Sequence, residues 1–168
     1  MSRVTILEKP SFEPERPEPL SFAPPPASAP AAERISLRST GGRPRTFEGT
    51  LLCTSISFVA GNAFWYDISV YREVSGALVA AIKHYTRDED GIDLFRVYDA
   101  ADFEELTSVL ENYEPAGDFD ASTLGVDDPH ISAGEVALRA AGLRLRIEEA
   151  RRQYGDLVGE ILYALETN

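Results

Sequence analysis

The chain has 168 residues, 43% of them hydrophobic and 10% aromatic, enough for one ordinary folded domain with little left for a second. A formal net charge of −12 argues against a general nucleic-acid binder and against a partner of anionic lipid. The single cysteine, Cys53, excludes an intramolecular disulfide framework and a multi-cysteine metal site, and it suits a reducing, cytoplasmic setting.

Residues 1–33 hold eight of the eleven prolines, among them Pro24, Pro25, Pro26 and Pro30. Proline lacks the amide donor and fixes φ, so neither a helix nor a central strand runs through this stretch. The composition predicts an extended arm, part polyproline II, with little structure of its own. Such an arm is either a disordered tail or a tether that orders on a partner, and its first residues, RVTIL, are apolar enough to dock. No continuous apolar run marks a signal peptide in the first twenty residues.

Residues 34–113 read as a sheet followed by a helix. RISLRST alternates, GGRPR is a loop, and TLLCTSISFVA, AFWYDISVYREV, ALVAAIKHYTR and IDLFRVY follow as strands. The uncharged stretch from Gly49 to Tyr66 is too rich in Ser, Thr, Gly and Asn for a membrane span, and it reads as two strands. Gly61-Asn62 and Ser75-Gly76 are read as two-residue hairpin loops, which makes an antiparallel meander of about five strands. With those loops, facing residue numbers add to 123 and 151. One face then holds Tyr66, Ile68, Val70, Val79, Ala81 and Tyr85, and the other holds Trp65, Asp67, Ser69, Tyr71, Leu78, Ile82 and His84. A meander with one wet face alternates cleanly. This one carries apolar side chains on both faces, so both are expected to be covered.

The same register sets Asp67 opposite His84. A carboxylate that orients an imidazole is half of a general-base arrangement. The plain alternative is a cross-strand polar pair at the rim of an interface. No nucleophile is placed beside it apart from Ser69, so Asp67 and His84 are the catalytic candidates and the assignment is to a non-enzyme.

Beyond the strands, DAADFEELTSVLENY predicts a helix over about 100–113, with Asp99 as N-cap and Phe103, Leu106, Val109, Leu110 and Tyr113 on one stripe. Residues 114–130 form an acidic linker. Asp118-x-Asp120-x-Ser122 opens like a calcium loop but has Thr123 where glycine makes the sharp turn and Pro129 where glutamate gives two oxygens, so no metal site is assigned. No phosphate-cradling glycine motif is present, and no cofactor is expected. Cys53 reads as a buried small hydrophobe, and His130 as a solvated linker residue.

Residues 131–168 form a long amphipathic helix that Ser132 and Glu135 open as a capping box. Val136, Ala140, Leu143, Ile147, Ala150, Tyr154, Leu157, Ile161 and Ala164 follow a heptad spacing. This seam belongs either to a coiled coil between two chains, hence a homodimer, or to a helix packed on its own domain.

The charge is local. Residues 88–130 carry 14 acidic groups and 1 basic group, whereas residues 34–87 carry 7 basic and 3 acidic ones. Together these features describe an α+β protein, an antiparallel meander with one packed helix, a long C-terminal helix and a proline-rich arm. The leading reading is a small acidic non-enzymatic protein–protein interaction protein, an adaptor, accessory or assembly factor whose acidic block points to a cationic protein partner. Its interface residues are assigned as Val136, Leu143, Ile147, Tyr154, Leu157, Ile161, Trp65 and Tyr71. Two alternatives stand beside it: an acidic inhibitor or DNA mimic that fills a basic cleft, and a small enzyme or ligand-binding protein built on Asp67 and His84.

Overall fold

The computed structural model describes residues 32–89 and 91–167. The arm expected at 1–33 therefore lies, as far as residue 31, outside the described residues. Five antiparallel strands, β1 (Glu33–Leu37), β2 (Arg45–Ile56), β3 (Phe64–Glu73), β4 (Leu78–Thr86) and β5 (Leu94–Ala100), form one sheet in sequence order. Helix α1 (Phe103–Asn112), two short 3-10 turns (Pro115–Asp118 and Ala121–Leu124) and helix α2 (Ala133–Thr167) follow.

The β3–β4 hairpin corrects the expected register. Glu73 donates its N–H to the Ala77 carbonyl and Gly76 donates to the Glu73 carbonyl, so three residues, Val74 to Gly76, make the loop. Gly76 sits at φ 95°, the left-handed conformation that closes a three-residue hairpin. Facing numbers consequently add to 150, as in Trp65 with Tyr85 and Asp67 with Lys83. One residue of difference exchanges the faces of β4. Leu78, Ala80, Ile82 and His84 join Tyr66, Ile68 and Val70, while Val79, Ala81 and Tyr85 join Trp65 and Tyr71. The β2–β3 hairpin keeps the sum of 123 from Cys53 to Ile56, and a bulge between Leu51 and Cys53 shifts it to 122 towards Gly49. Its connection is longer than two residues, with a turn from Val59 to Asn62.

The first face is covered by the helices. Tyr66, Ile68, Val70, Ala80 and Ile82 are buried with Leu106 and Leu110 of α1 and with Ala150, Tyr154, Leu157 and Ile161 of α2. Asp102, in place of the expected Asp99, caps α1 by accepting from the Glu105 N–H at 2.9 Å. Strand β5 runs on to Ala100, which is buried in the core, and that continuation moves the helix start. Tyr154 of α2 donates to the Leu110 carbonyl at 2.7 Å, which satisfies one acceptor at the C-terminal end of α1. Ser132 accepts from the Glu135 N–H at 3.2 Å and opens α2 as expected.

Among the described residues the second face is covered only in part, and by the sheet itself. Strand β2 is long enough to serve two neighbours: Arg45–Gly49 pair with β1 and Gly49–Ile56 pair with β3. The bulge bends it between those halves. Hairpin β1–β2 then folds over the far end of the sheet, burying Leu37, Phe47, Val79 and Ala81 beside Ile35, Tyr71 and Val97. Two hydrogen bonds between Thr40 and Phe95, both 2.8 Å, tie the chain beyond β1 to β5. Arg45 reinforces the closure by bonding Asp99 at 3.1 Å.

Gly49 occupies the corner where β1, β2 and β3 meet. A Cβ there would run into the backbone carbonyl of Arg72, which cannot swing aside as a side-chain end would. Gly49→Ala is expected to cost about 1–3 kcal/mol. Urea denaturation checks this, and an unchanged midpoint would contradict the packing at this corner.

Candidate functional site

Two polar groupings lie on opposite faces of the sheet. On the helix face, the Asp118 carboxylate is fully buried. It accepts from the Tyr66 hydroxyl at 2.8 Å, from the Tyr113 hydroxyl at 2.7 Å and from the Arg96 guanidinium at 2.6 Å. Strand β3 supplies Tyr66, β5 supplies Arg96, and the residue after α1 supplies Tyr113. One carboxylate thus pins the first 3-10 turn to the sheet and to the end of α1. Burial and the Asp118 charge raise the pKa of both tyrosines far above the ordinary phenol value, so neither supplies a base near neutral pH. The calcium-loop resemblance ends here, because Asp118 is engaged by these donors and Asp120 caps the second 3-10 turn. Among the described residues no group of three or more His, Cys, Asp and Glu side chains is placed to hold a metal ion.

His84 lies beside this cluster. It is 4% exposed, and neither ring nitrogen has a hydrogen-bond partner among the described residues. Its ring packs against Phe64, Tyr66 and Phe119 at centroid distances of 5.0–5.6 Å. Burial lowers its pKa below the ordinary imidazole value, against the opposing pull of Asp118 and Asp93. His84 is a neutral aromatic core residue.

Asp67 is on the other face, which corrects the expected Asp67–His84 pair. Asp67 faces Lys83, whose ammonium donates to it at 3.0 Å, and Ser69 donates to its other oxygen at 3.1 Å. Thr54 and Ser69 hydroxyls meet at 3.0 Å. This is a closed cross-strand polar row in which each group already has its partner.

Past that row, towards the β2–β3 connection, the face is aromatic, and among the described residues no helix or strand packs over it, with Trp65, Tyr85 and Phe95 half-buried. Trp65 stacks on Tyr85 with centroids 5.3 Å apart and planes 18° from parallel. Phe58 meets the Trp65 edge at 5.1 Å, and Phe95 meets Tyr85 at 5.8 Å. The Arg87 guanidinium lies over both Phe58 and Trp65. Ile56 and Phe58 remain 55% and 48% exposed. Of this group only Trp65 was assigned to an interface from the sequence. Tyr85 joins its face because the three-residue β3–β4 loop sets Tyr85 opposite Trp65.

The remaining assigned interface residues divide. Tyr154, Leu157 and Ile161 are core residues of this chain, buried against its own sheet. Tyr71 is half-buried with Phe47. Val136, Leu143 and Ile147 are half-buried. Leu143 and Ile147 line a shallow groove of about 340 Å³ with Ala116, Leu124 and Ala140. Cys53 packs half-buried on the main core, and burial raises its thiol pKa. His130 is exposed, as expected. No helix among the described residues is long and apolar enough to cross a membrane. No family model, curated protein or solved structure matches this chain.

Two predictions follow from the buried groups. Asp118→Ala leaves Arg96 and two tyrosine hydroxyls without their acceptor, and it should destabilise the fold by about 3–5 kcal/mol in chemical denaturation. A loss below about 1 kcal/mol would mean that water replaces the carboxylate. His84 titrates below its unfolded value, so the unfolded chain binds its proton first. Its contribution is whole above about pH 6.5 and is lost as pH falls below that. His84→Leu should therefore flatten the stability profile below about pH 6.5. Parallel profiles in wild type and variant would refute the assignment.

Proposed function

We propose that this chain is a small, acidic, non-enzymatic protein–protein interaction module, and that the aromatic shelf of Phe58, Trp65, Tyr85 and Phe95 is its principal contact surface. One observation carries the reading: these rings form a mutually packed row on the part of the sheet that neither helix nor hairpin covers. Protein contact surfaces concentrate their binding energy in such aromatic and arginine side chains. Rings already held against one another lose little conformational freedom when a partner arrives.

The proximal half of α2 is the second contact element. Leu138 and Leu145, seven residues apart, are 74% and 66% exposed. Any homodimer would use this half, because the distal seam is already buried within the chain.

The alternatives draw less support. A DNA mimic needs its charges free on the surface, whereas Asp88, Asp99, Glu114 and Asp118 are each paired with an arginine of this chain. An enzyme built on Asp67 and His84 needs them on one face.

Phe58 stands outside the core, so Phe58→Asp should leave the melting temperature nearly unchanged. It should also weaken capture of the physiological partner by at least about tenfold, as aromatic hot spots do. Quantitative co-purification of wild type and variant from the native host is the measurement. Equal capture by the two would exclude the shelf as the contact surface.

A further inference from the structure

Both ring nitrogens of His84 are buried without a hydrogen-bond partner among the described residues, and so is Nε of Arg146. The charged groups around the imidazole are Arg96 on β5, Asp93 before that strand, Asp118 in the first 3-10 turn and Arg146 on α2. Asp118 already accepts from Tyr66, Tyr113 and Arg96, and Asp93 accepts from the Thr86 N–H. A proton on His84 would therefore add a third cation beside Arg96 and Arg146, with no acceptor of its own. A buried charge left in that condition is costly.

The walls of this cage differ in strength. Phe64 and Tyr66 stand on β3, next to His84 on β4, and the β3–β4 ladder fixes all three. The remaining wall is Phe119, whose ring lies 5.4 Å from the imidazole with the Arg146 guanidinium over it. Phe119 begins a segment, residues 119–131, in which no residue is buried. Asp118, with its fully buried carboxylate, anchors the chain before it, and the Ser132 cap opens α2 after it. Phe119, Leu124 and Ile131 are half-buried, and Arg139 donates to the Thr123 carbonyl at a long 3.3 Å. Arg146 itself is tied to Asp88 by an ion pair between two exposed side chains. Such pairs hold weakly. A segment with few buried contacts opens well below the free energy of global unfolding.

We propose that residues 119–131 are an acid-opened lid: a proton on His84 lifts Phe119 and swings Arg146 aside, so that water reaches the imidazole while the sheet and α2 stay folded. The inference goes beyond the reading of the contact surfaces and does not depend on it. The open form holds His84 in water, where it takes up a proton near its ordinary value of about 6.5. The closed form binds that proton less well. The opening equilibrium consequently grows as pH falls, by up to about tenfold between pH 7.5 and 5.5.

Amide hydrogen exchange of the full-length protein, corrected for the chemical rate at each pH, reads this opening. From pH 7.5 to 5.5, protection of residues 119–131 should fall severalfold, by up to about tenfold, while β3 and β4 keep theirs. The other histidine, His130, lies in the lid itself. His130→Gln should retain the response and His84→Leu should abolish it, with His84→Phe as a second uncharged replacement where leucine loosens the core. An absent response in wild type, a response lost in His130→Gln, or an undiminished one in the His84 variants would each overturn the proposal. Loss of protection in β3 in step with the lid would overturn it too, since the proton would then unfold the whole core.

Discussion

The one-residue alternation of the β pleat, combined with the β3–β4 register, decides which side chains meet the helices. Tyr66, Ile68 and Val70 on β3 and Ala80 and Ile82 on β4 share one face only because their numbers pair to 150. Shifted by one residue, the β4 side chains would turn away and His84 would face solvent. Everything packed above this face follows from it. Leu106 and Leu110 of α1 and Tyr154, Leu157 and Ile161 of α2 are buried against these residues. Tyr66 reaches Asp118 from the same row. A three-residue loop closed by Gly76 maintains the arrangement, and the choice between loop lengths is a choice between two different cores.

A sheet with two apolar faces needs two covers, and this chain makes them by different means. Helices cover the first. For the second, the length of β2 and its bulge let the β1–β2 hairpin bend across Val79 and Ala81. That cover is short. It ends near the polar row of Thr54, Ser69, Asp67 and Lys83, which closes on itself and needs nothing above it. The aromatic shelf beyond is what the geometry leaves over. The rings satisfy one another edge to face and stacked, and Arg87 lies on two of them. This leaves Trp65, Tyr85 and Phe95 half-buried and Phe58 the most exposed of the four.

The strands were legible because alternation is a local property, and so were α1, α2 and the Ser132 cap. Loop length was not. Ser75-Gly76 suits a two-residue turn, and it equally suits a type I turn with Gly76 in the left-handed position. Nothing within the dipeptide distinguishes the two; packing across the whole hairpin does. The Asp67–His84 pair inherited that ambiguity and fell with it. In the same way, the DAAD segment offers two aspartates as caps, and burial of Ala100 at the end of β5 selects Asp102. Asp118 was hidden for a different reason. Within an acidic segment a buried carboxylate looks like its solvated neighbours, and its partners Tyr66 and Arg96 come from strands distant in sequence. The heptad seam was a true periodicity. It could not report whether the surface it meets belongs to a second helix or to the chain's own sheet.

The acidic block takes on a different meaning once its contacts are known. Asp88 holds Arg146 of α2, Glu114 holds Arg151, and Asp118 holds Arg96. These acids fasten the linker and α2 to the sheet, and others cap helix and turn starts at Asp102 and Asp120. Exposed pairs of this sort each contribute little, and the buried Asp118 pair is the one whose rupture is costly. Three of the four shelf rings, Phe58, Trp65 and Tyr85, belong to the other part of the chain, the mildly basic residues 34–87, and the nearby cations are Arg87 and an already paired Lys83. What this part of the sheet presents is therefore aromatic surface more than negative charge.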